Sequence, residues 1–523
     1  MTAERGPLLV VAGPGAGKTR VLVDMIAHRI GVLGVPPRRC LDVTFTRRAT
    51  AELRERLDAR LGGAAAGVTV TTFHGLGLLI LRDQLGEFPV TDDNLDELIT
   101  TPVTLLAADP ALARAYRARW SDVFVDEYQD VDGSQYELLR LLTSAAPDGT
   151  DSSVTAIGDP DQAIYGFRGG DVGYFLRFRA DYCGPPGPAR EARLERSYRS
   201  APSIVNAAMQ LIRPGTLVPG RRLVPARADI PDGPVVLRRC ADERAEAELV
   251  AATIETMLGG ASFHALDSGA VDGRVRAEHQ LSFADFAVLA RTSAQAAPVV
   301  EALRRRGFPV QQRSHAKLAD MPGVPAIVAA LDGIPGGHVP DPAGRSVIVS
   351  VADRVRQAVA TAADSDSDSR EATIRWAGEA LLTLAGQCGD DLTRFLDQLA
   401  MGAEVDTWDP RADRISMLTL HASKGLEFPV VFIVGCDEGL LPLRPWAGAE
   451  IDYAEERRLL FVGMTRATTR LILTGAQRRM IRGELTECSP SPFLASVDRA
   501  LLDTSGEMAR RKRKPAAQQL TLL

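Results

Sequence analysis

Short apolar runs, each closed by glycine or polar residues, alternate along this chain with stretches whose apolar residues recur at helical spacing. Leu8-Leu9-Val10-Val11-Ala12 feeds a glycine-rich turn, and Arg20 to Ile30 then follows a helical period. The unit recurs. Cys40 to Thr44 reads as strand and Arg48 to Leu61 as a helix dense in Arg and Glu; Val68 to Thr72, Val123-Phe124-Val125 and Val154 to Gly158 are further strands. A second set begins after Pro202 with Phe286-Ala287-Val288-Leu289 and a helix from Ala294 to Arg306. It resumes with Ile415 to Leu420, Val430 to Val434 and Leu471 to Thr474. Strands alternating with helices predict an α/β fold whose parallel sheets are covered on both faces.

Between the two parts of the second set, about Ala316 to Asp413, the pattern is poorer. Its polar tract Asp364-Ser365-Asp366-Ser367-Asp368-Ser369 reads as a flexible surface loop. Met508 to Pro515 is basic, and Ala516 to Leu523 is a short tail. A chain of 523 residues, 45% hydrophobic and 24% charged, has material for two to four domains. No apolar run approaches the ~20 residues that span a bilayer, and the chain enters a motif without a signal peptide, so a cytoplasmic protein with no membrane partner is expected. The six cysteines form no CxxC pair and predict neither a zinc site nor a disulfide framework. A net charge of −6 argues against coating duplex DNA by bulk electrostatics while leaving room for a local basic channel. With 5% aromatic residues, any base-stacking side chains are few.

Gly13-Pro14-Gly15-Ala16-Gly17-Lys18-Thr19 follows a strand, opens a helix and keeps the GxxxxGK[ST] spacing with Ala12 as its small first residue. Backbone N–H groups of such a loop close around phosphate oxygens, and the helix N-terminus adds positive potential. Lys18 neutralises β/γ charge, and the Thr19 hydroxyl ligates Mg²⁺. The strand Val123-Phe124-Val125 delivers Asp126 and Glu127 at its C-terminal end, where open α/β sheets place ligands. Asp126 is expected to hold magnesium, and Glu127 to orient and deprotonate the attacking water.

Further blocks follow in order. They are Val43-Thr44-Phe45-Thr46, Thr71-Thr72-Phe73-His74-Gly75, Asp126-Glu127-Tyr128-Gln129-Asp130 and Gly158-Asp159-Pro160-Asp161-Gln162-Ala163-Ile164-Tyr165-Gly166-Phe167-Arg168-Gly169. Ser197-Tyr198-Arg199-Ser200, Thr419 to Phe428 (TLHASKGLEF) and Glu455 to Ala467 (EERRLLFVGMTRA) complete the set. Together they resemble the UvrD/Rep/PcrA group of superfamily 1 DNA helicases. The resemblance implies two RecA-like P-loop NTPase domains with ATP in the cleft between them and single-stranded DNA across their tops. Residues 1–90 and 121–200 would form the first domain and 201–315 with 414–500 the second. Reduced, mainly helical insertions would occupy 91–120 and 316–413, and 501–523 would be a flexible basic tail. Roles carry over by position. Ala12 to Arg20, that is Ala12, Gly13, Pro14, Gly15, Ala16, Gly17, Lys18, Thr19 and Arg20, would bind nucleotide with Tyr198 on the base and Glu427 on the ribose. Gln162 would sense the γ-phosphate, and Arg199 and Arg466 would reach across from the second domain as arginine fingers. Phe45, Thr72, His74, Phe167 and Arg168 would line the DNA path. Phe167 stands where the family commonly has Trp and can stack on any base.

The resemblance implies an ATP- and Mg²⁺-dependent motor, a 3′ to 5′ single-stranded DNA translocase or helicase acting in bacterial DNA repair or recombination, with single strands and single-/double-strand junctions as partners. Polarity comes from the resemblance alone. An ATP-dependent DNA-binding switch with little turnover and an RNA motor are the alternatives. The chain also departs from the pattern. No glutamine precedes the phosphate loop to read adenine, so either the start is truncated or discrimination of ATP from GTP is reduced. With both insertions short, translocation is expected more than processive unwinding. Ser262 to Val275 resembles a segment of UvrD-like domains fused to PHP-type phosphoesterases, or is a polar loop. Gln519-Leu520-Thr521-Leu522-Leu523 resembles the peptide that docks bacterial repair proteins on the DNA polymerase sliding clamp.

Overall fold

The computed structural model describes the chain except residues 1–5, 92–93, 144–152, 183–188, 228, 260–280, 313–318, 320–322, 332, 335–337, 341–345, 364–367, 401–411, 445–450, 482–483 and 506–523. The segment Ser262 to Val275 and the terminal Gln519 to Leu523 lie outside the described residues. The chain divides into two compact units: Met1–Arg199 with Thr216–Arg227 and Gln311–Ala412, and Ser200–Gly215 with Ala228–Val310 and Asp413–Leu523. No described helix is long and apolar enough to cross a membrane.

Unit 1 is built on β1 (Leu8–Ala12), β2 (Cys40–Thr44), β3 (Thr69–Thr72), β4 (Asp122–Val125), β5 (Ser153–Gly158) and β6 (Arg190–Leu194). They form one sheet in the order β3-β2-β4-β5-β1-β6, and every pair in it is parallel. Four of these strands, β1, β2, β4 and β5, are mainly apolar runs buried between helices, which is why the sequence reveals them, while β3 (TVTT) is half-buried. β6 (REARL) alternates charged and small residues at the sheet edge and carries no such signal. Successive residues face opposite layers. Leu8, Val10, Cys40 and Phe124 pack with Leu22, Ile26, Leu53 and Leu57 of the helices α1 (Lys18–Gly31) and α2 (Arg47–Leu61). Leu9, Leu41, Val43, Val123 and Val125 face the other core, which includes Phe73 and Leu76 of α3 (Phe73–Leu85).

Residues 91–120 contribute α4 (Glu97–Ala108) and α5 (Pro110–Arg119). Ile99, Leu106, Ala113, Tyr116 and Trp120 join the same core as β4, so the segment has no core of its own; two short helices supply too little apolar surface for one. The helices Val324–Leu331, Val351–Ala363, Asp368–Cys388 and Leu392–Ala400 do bury a separate core, around Ile327, Val355, Leu381 and Phe395. This insertion, expected within the second domain, clusters with unit 1, and Asp397 accepts from Arg82 at 2.6 Å. The tract read as a loop from Asp364 to Ser369 is already helical at Asp368. Two short strands, β7 (Arg196–Ser197) and β8 (Val224–Pro225), pair in parallel in unit 1.

Along the rest of the chain come β9 (Val235–Asp242), β10 (Phe286–Ala290), β11 (Val310–Gln312), the hairpin β12 and β13 (His338–Pro340 and Ser346–Ile348), β14 (Ile415–Thr419), β15 (Phe428–Ile433), β16 (Ala467–Ile481), β17 (Glu484–Glu487) and β18 (Leu502–Asp503). The second large sheet runs β11-β14-β10-β15-β16-β9-β18, with β17 paired to β16. Its edge strand β18 lies at 502–503, two residues inside the segment expected to be tail. In unit 2 the buried Glu246 accepts from Gly435 N–H, the Thr474 hydroxyl and Arg479, and Arg479 also donates to Asp437 at 2.8 Å, so this polar cluster is internally satisfied.

Candidate nucleotide and nucleic-acid site

β1 ends at Ala12 and α1 starts at Lys18, so the five residues between them form a loop at the C-terminal edge of the sheet. Gly15 (φ 70°) and Gly17 (φ 81°) are left-handed, a conformation that turns successive N–H groups inward and that L-residues rarely adopt. A Cβ on Gly15 would stand 2.6 Å from Arg199 Cβ and 2.7 Å from Ser197 Oγ, and the Gly15 carbonyl accepts from Tyr198 N–H at 2.8 Å. The backbone of 197–199 therefore lies directly against the phosphate loop, within unit 1. Arg199, expected to arrive from the second domain, is the last residue of the first segment of unit 1. Tyr198 projects an exposed ring.

Asp126 N–H donates to the Val43 carbonyl, fixing the end of β4 beside β2. Asp126 is buried, and burial first, then the charge of Glu127, raises its carboxyl to about 7. Glu127 is the one described non-glycine residue with positive φ, at 50°. Strain of that kind persists where surrounding contacts fix it, and here they do. Glu127 Oε1 is 3.5 Å from Lys18 Nζ, and Oε2 accepts from Gln129 Nε2 at 2.5 Å. The glycine cradle, Lys18, Thr19 in the first turn of α1 and a buried carboxylate pair form a donor set that fits a magnesium-bound nucleoside triphosphate.

Gln129 turns the carboxylate site toward the next motif: its Oε1 accepts from Asp159 N–H at 2.9 Å. Gly158 makes this approach possible, since a Cβ there would lie 2.1 Å from Gln129 Oε1. Gln162 is buried, and its Nε2 donates to Asp159 Oδ2 at 2.7 Å. The structure thus joins Glu127, Gln129, Asp159 and Gln162 in one hydrogen-bonded series. Arg221, whose segment matches no motif, also enters it, donating to Asp159 at 2.6 Å and 2.7 Å and to Asp161 at 2.9 Å. The sequence carried no signal for this arginine, because only tertiary packing brings Thr216–Arg227 back onto the loop.

Past Gln162 the chain surfaces. Phe167 is 65% exposed, and the Arg168 guanidinium lies over Phe167 and Tyr165, 5.6 and 5.7 Å from the ring centroids. Phe45, by contrast, is half-buried and packs edge-on against Phe73 at 5.3 Å. The Thr72 hydroxyl caps α3 by accepting from Gly75 N–H. Burial holds the half-buried His74 imidazole below its ordinary pKa. Within unit 2, Arg466 is buried and its guanidinium donates to the carbonyls of Val462 and Leu426 and to the Thr465 hydroxyl. Glu427 is exposed on the loop before β15.

Comparison with known proteins fits this geometry. The UvrD/REP helicase N-terminal domain matches residues 1–91 and 90–183, and the UvrD-like helicase C-terminal domain matches residues 352–478. ATP-dependent DNA helicase PcrA of Leuconostoc citreum is 26% identical over 664 residues, covering 96% of this chain and 84% of its own length. DNA helicase II of Escherichia coli K12 is 27% identical over 654 residues, covering 95% and 86%. PcrA of Staphylococcus aureus Mu50 is 24% identical over 668 residues, covering 98% and 87%. With its N- and C-terminal models matched in order over more than half of its length, the chain belongs to the UvrD/Rep helicase family.

Proposed function

We propose that this protein is an ATP-driven DNA helicase motor that translocates 3′ to 5′ on single-stranded DNA, opens single-/double-strand junctions and serves DNA repair or recombination. The observation that carries the reading is the bonded series from Glu127 through Gln129 and Asp159 to Gln162, which ends five residues before the exposed Phe167. A loop that holds bases on one side is joined through it to a hydrolytic carboxylate on the other. The names of the PcrA and DNA helicase II relatives support the same substrate.

Magnesium-bound ATP supplies the phosphoanhydride whose cleavage drives the motor. Residues 12–20 hold its phosphates, with Lys18 against the β/γ charge, and Thr19 and Asp126 are the candidates to ligate the metal. Glu127 accepts the proton of the attacking water, and its left-handed backbone and the Gln129 bond fix the carboxylate for that task. Arg199 and Arg466 are the cations proposed for the transferring phosphoryl group, Tyr198 stacks on the base and Glu427 meets the ribose. Phe167 and Arg168, with Phe45, Thr72 and His74, track the strand without choosing sequence. The PcrA alignment extends over 664 residues against 523 here, so the relatives carry segments this chain lacks. That difference favours translocation over processive unwinding. We further propose a cytoplasmic site of action and docking of Gln519 to Leu523 on a sliding clamp; a tail peptide that fails to bind clamp at micromolar concentration would exclude the docking.

The deciding experiment is steady-state ATP hydrolysis with DNA, RNA or no oligomer, for the wild type and Glu127→Gln. Strong stimulation by single-stranded DNA, lost in the variant, is expected. Binding without stimulated turnover would mean a DNA-bound switch, and equal stimulation by RNA would remove the DNA assignment.

A further inference from the structure

Arg221 belongs to a segment that the motifs do not touch, yet it is placed at the centre of the site. Its side chain is only 6% exposed. Nη1 and Nη2 clasp Oδ1 and Oδ2 of Asp159 at 2.6 and 2.7 Å, and Nη1 also reaches Asp161 Oδ2 at 2.9 Å. This is the parallel two-bond geometry that a planar guanidinium makes with a carboxylate and an ammonium cannot. The same segment fixes Asp161 twice more, through the Thr216 hydroxyl at 2.5 Å and Leu217 N–H at 2.7 Å.

Two observations connect this clasp to the phosphate loop. A Cβ built on Gly13 would stand 3.3 Å from Arg221 Nη2 and 2.9 Å from Leu223 Cδ1, so the guanidinium and its neighbour lie directly on the loop backbone. One oxygen of Asp159, Oδ2, accepts both from Arg221 and from the Gln162 amide, while Asp159 N–H holds Gln129, the partner of Glu127. Burial by itself would raise the Asp159 carboxyl, but the charge and hydrogen bonds of Arg221, together with the Lys18 charge and the Gln162 amide, outweigh it and hold the carboxyl below its ordinary range as a double acceptor. A buried ion pair adds little stability over an apolar pair of similar volume, so stability alone does not account for this geometry.

We propose that Arg221 is a positioning residue of the motor: it clamps Asp159 against the phosphate loop, and through that carboxylate sets the Gln162 amide and the Gln129–Glu127 contact, so that the DNA-binding loop and the hydrolytic carboxylate move as one. This rests on the functional reading above and adds to it a residue that acts through Asp159 rather than on the nucleotide.

The test compares Arg221→Met, Arg221→Lys, Gln162→Ala and Arg221→Met/Gln162→Ala with the wild type. It reads hydrolysis with and without oligo-dT, and binding of a fluorescent nonhydrolysable ATP analogue. Arg221→Met is expected to lower DNA-stimulated kcat by at least ~10-fold while analogue Kd changes by less than ~3-fold. Arg221→Lys should fall between it and the wild type, and the double variant should be no more than ~3-fold worse than Arg221→Met, because both changes interrupt one unit. Stimulated kcat within twofold of wild type, equal loss of kcat and affinity, or multiplication of the two single effects would each overturn the proposal. If Arg221→Met does not fold, Arg221→Lys decides: full stimulation with the two-bond clasp removed refutes the role. A wild type that DNA does not stimulate would instead refute the motor reading.

Discussion

Asp42 offers a sharp test of the packing around this site. It sits in β2 between Val70 and Phe124, is wholly buried, and among the described residues neither of its carboxylate oxygens has a hydrogen-bond partner. Burial first, and the nearby Asp126 second, push its carboxyl well above the ordinary range. The folded chain therefore keeps a proton that the unfolded chain releases near pH 4. In that window the folded state binds more protons, so the Asp42 contribution to stability is fully present below the unfolded pKa and is lost as pH rises toward the folded one. Asp42→Asn has nearly the same shape and cannot titrate, and the cost of burying its amide is a pH-independent offset. The stability difference between variant and wild type should then grow in favour of Asn by up to about 1.4 kcal/mol per pH unit above pH 4. From an ordinary aspartate pKa of about 3.9, its ceiling at pH 7 is about 4 kcal/mol. Urea unfolding between pH 4 and 7, followed by tryptophan emission, to which Trp120 buried in the core of the same unit contributes, measures it. A difference that stays flat across that range would refute the reasoning, since Asp42 would then titrate alike in both states.

Three further outcomes follow from named contacts. Gly15→Ala places a methyl 2.6 Å from Arg199 Cβ at a φ of 70°, and should weaken nucleotide binding by at least about 1.4 kcal/mol, or tenfold; a fluorescent-nucleotide titration within twofold of wild type would contradict the cradle. Arg479→Met leaves Glu246 and Asp437 buried without the cation they share, and a loss of about 3–5 kcal/mol is expected by chemical denaturation with a probe in unit 2; an unchanged transition would show that the two acids find other partners. Phe167→Ala should cost about 1–3 kcal/mol of single-strand affinity, by a similar amount on oligo-dT and oligo-dA, with Phe167→Trp restoring it; an effect on one homopolymer alone would argue for base readout instead of stacking.

The buried strands were legible because a strand covered on both faces must be apolar throughout, and β1, β2, β4, β5, β10, β14 and β15 are short apolar runs with polar ends. The phosphate loop was legible for a related reason: its chemistry is local, with glycines, a lysine and a hydroxyl in consecutive positions between a strand and a helix. Strands at a sheet edge or next to it gave no comparable signal. β6 alternates Arg, Glu and Ala, β9 mixes valines with Arg-Arg-Cys-Ala-Asp, and both are strands because a neighbour offers a free row of backbone partners.

Local sequence by itself determined which residues can cradle phosphate, which carboxylates stand at the end of β4 and where the helices begin. Tertiary structure decided which of them work together. Glu127 adopts a left-handed backbone that no neighbour in sequence requires. Residues 91–120 dissolve into the core of unit 1 because their two helices cannot close one. Phe45 turns inward onto Phe73 while Phe167 stays in solvent, though both are aromatic residues in motif loops. Arg221 meets Asp159 across 62 residues of chain, an ion pair that exists only because the returning segment packs on the phosphate loop. Contacts of that range depend on how whole layers stack, and the identity of one residue says nothing about which distant partner the packing will bring to it.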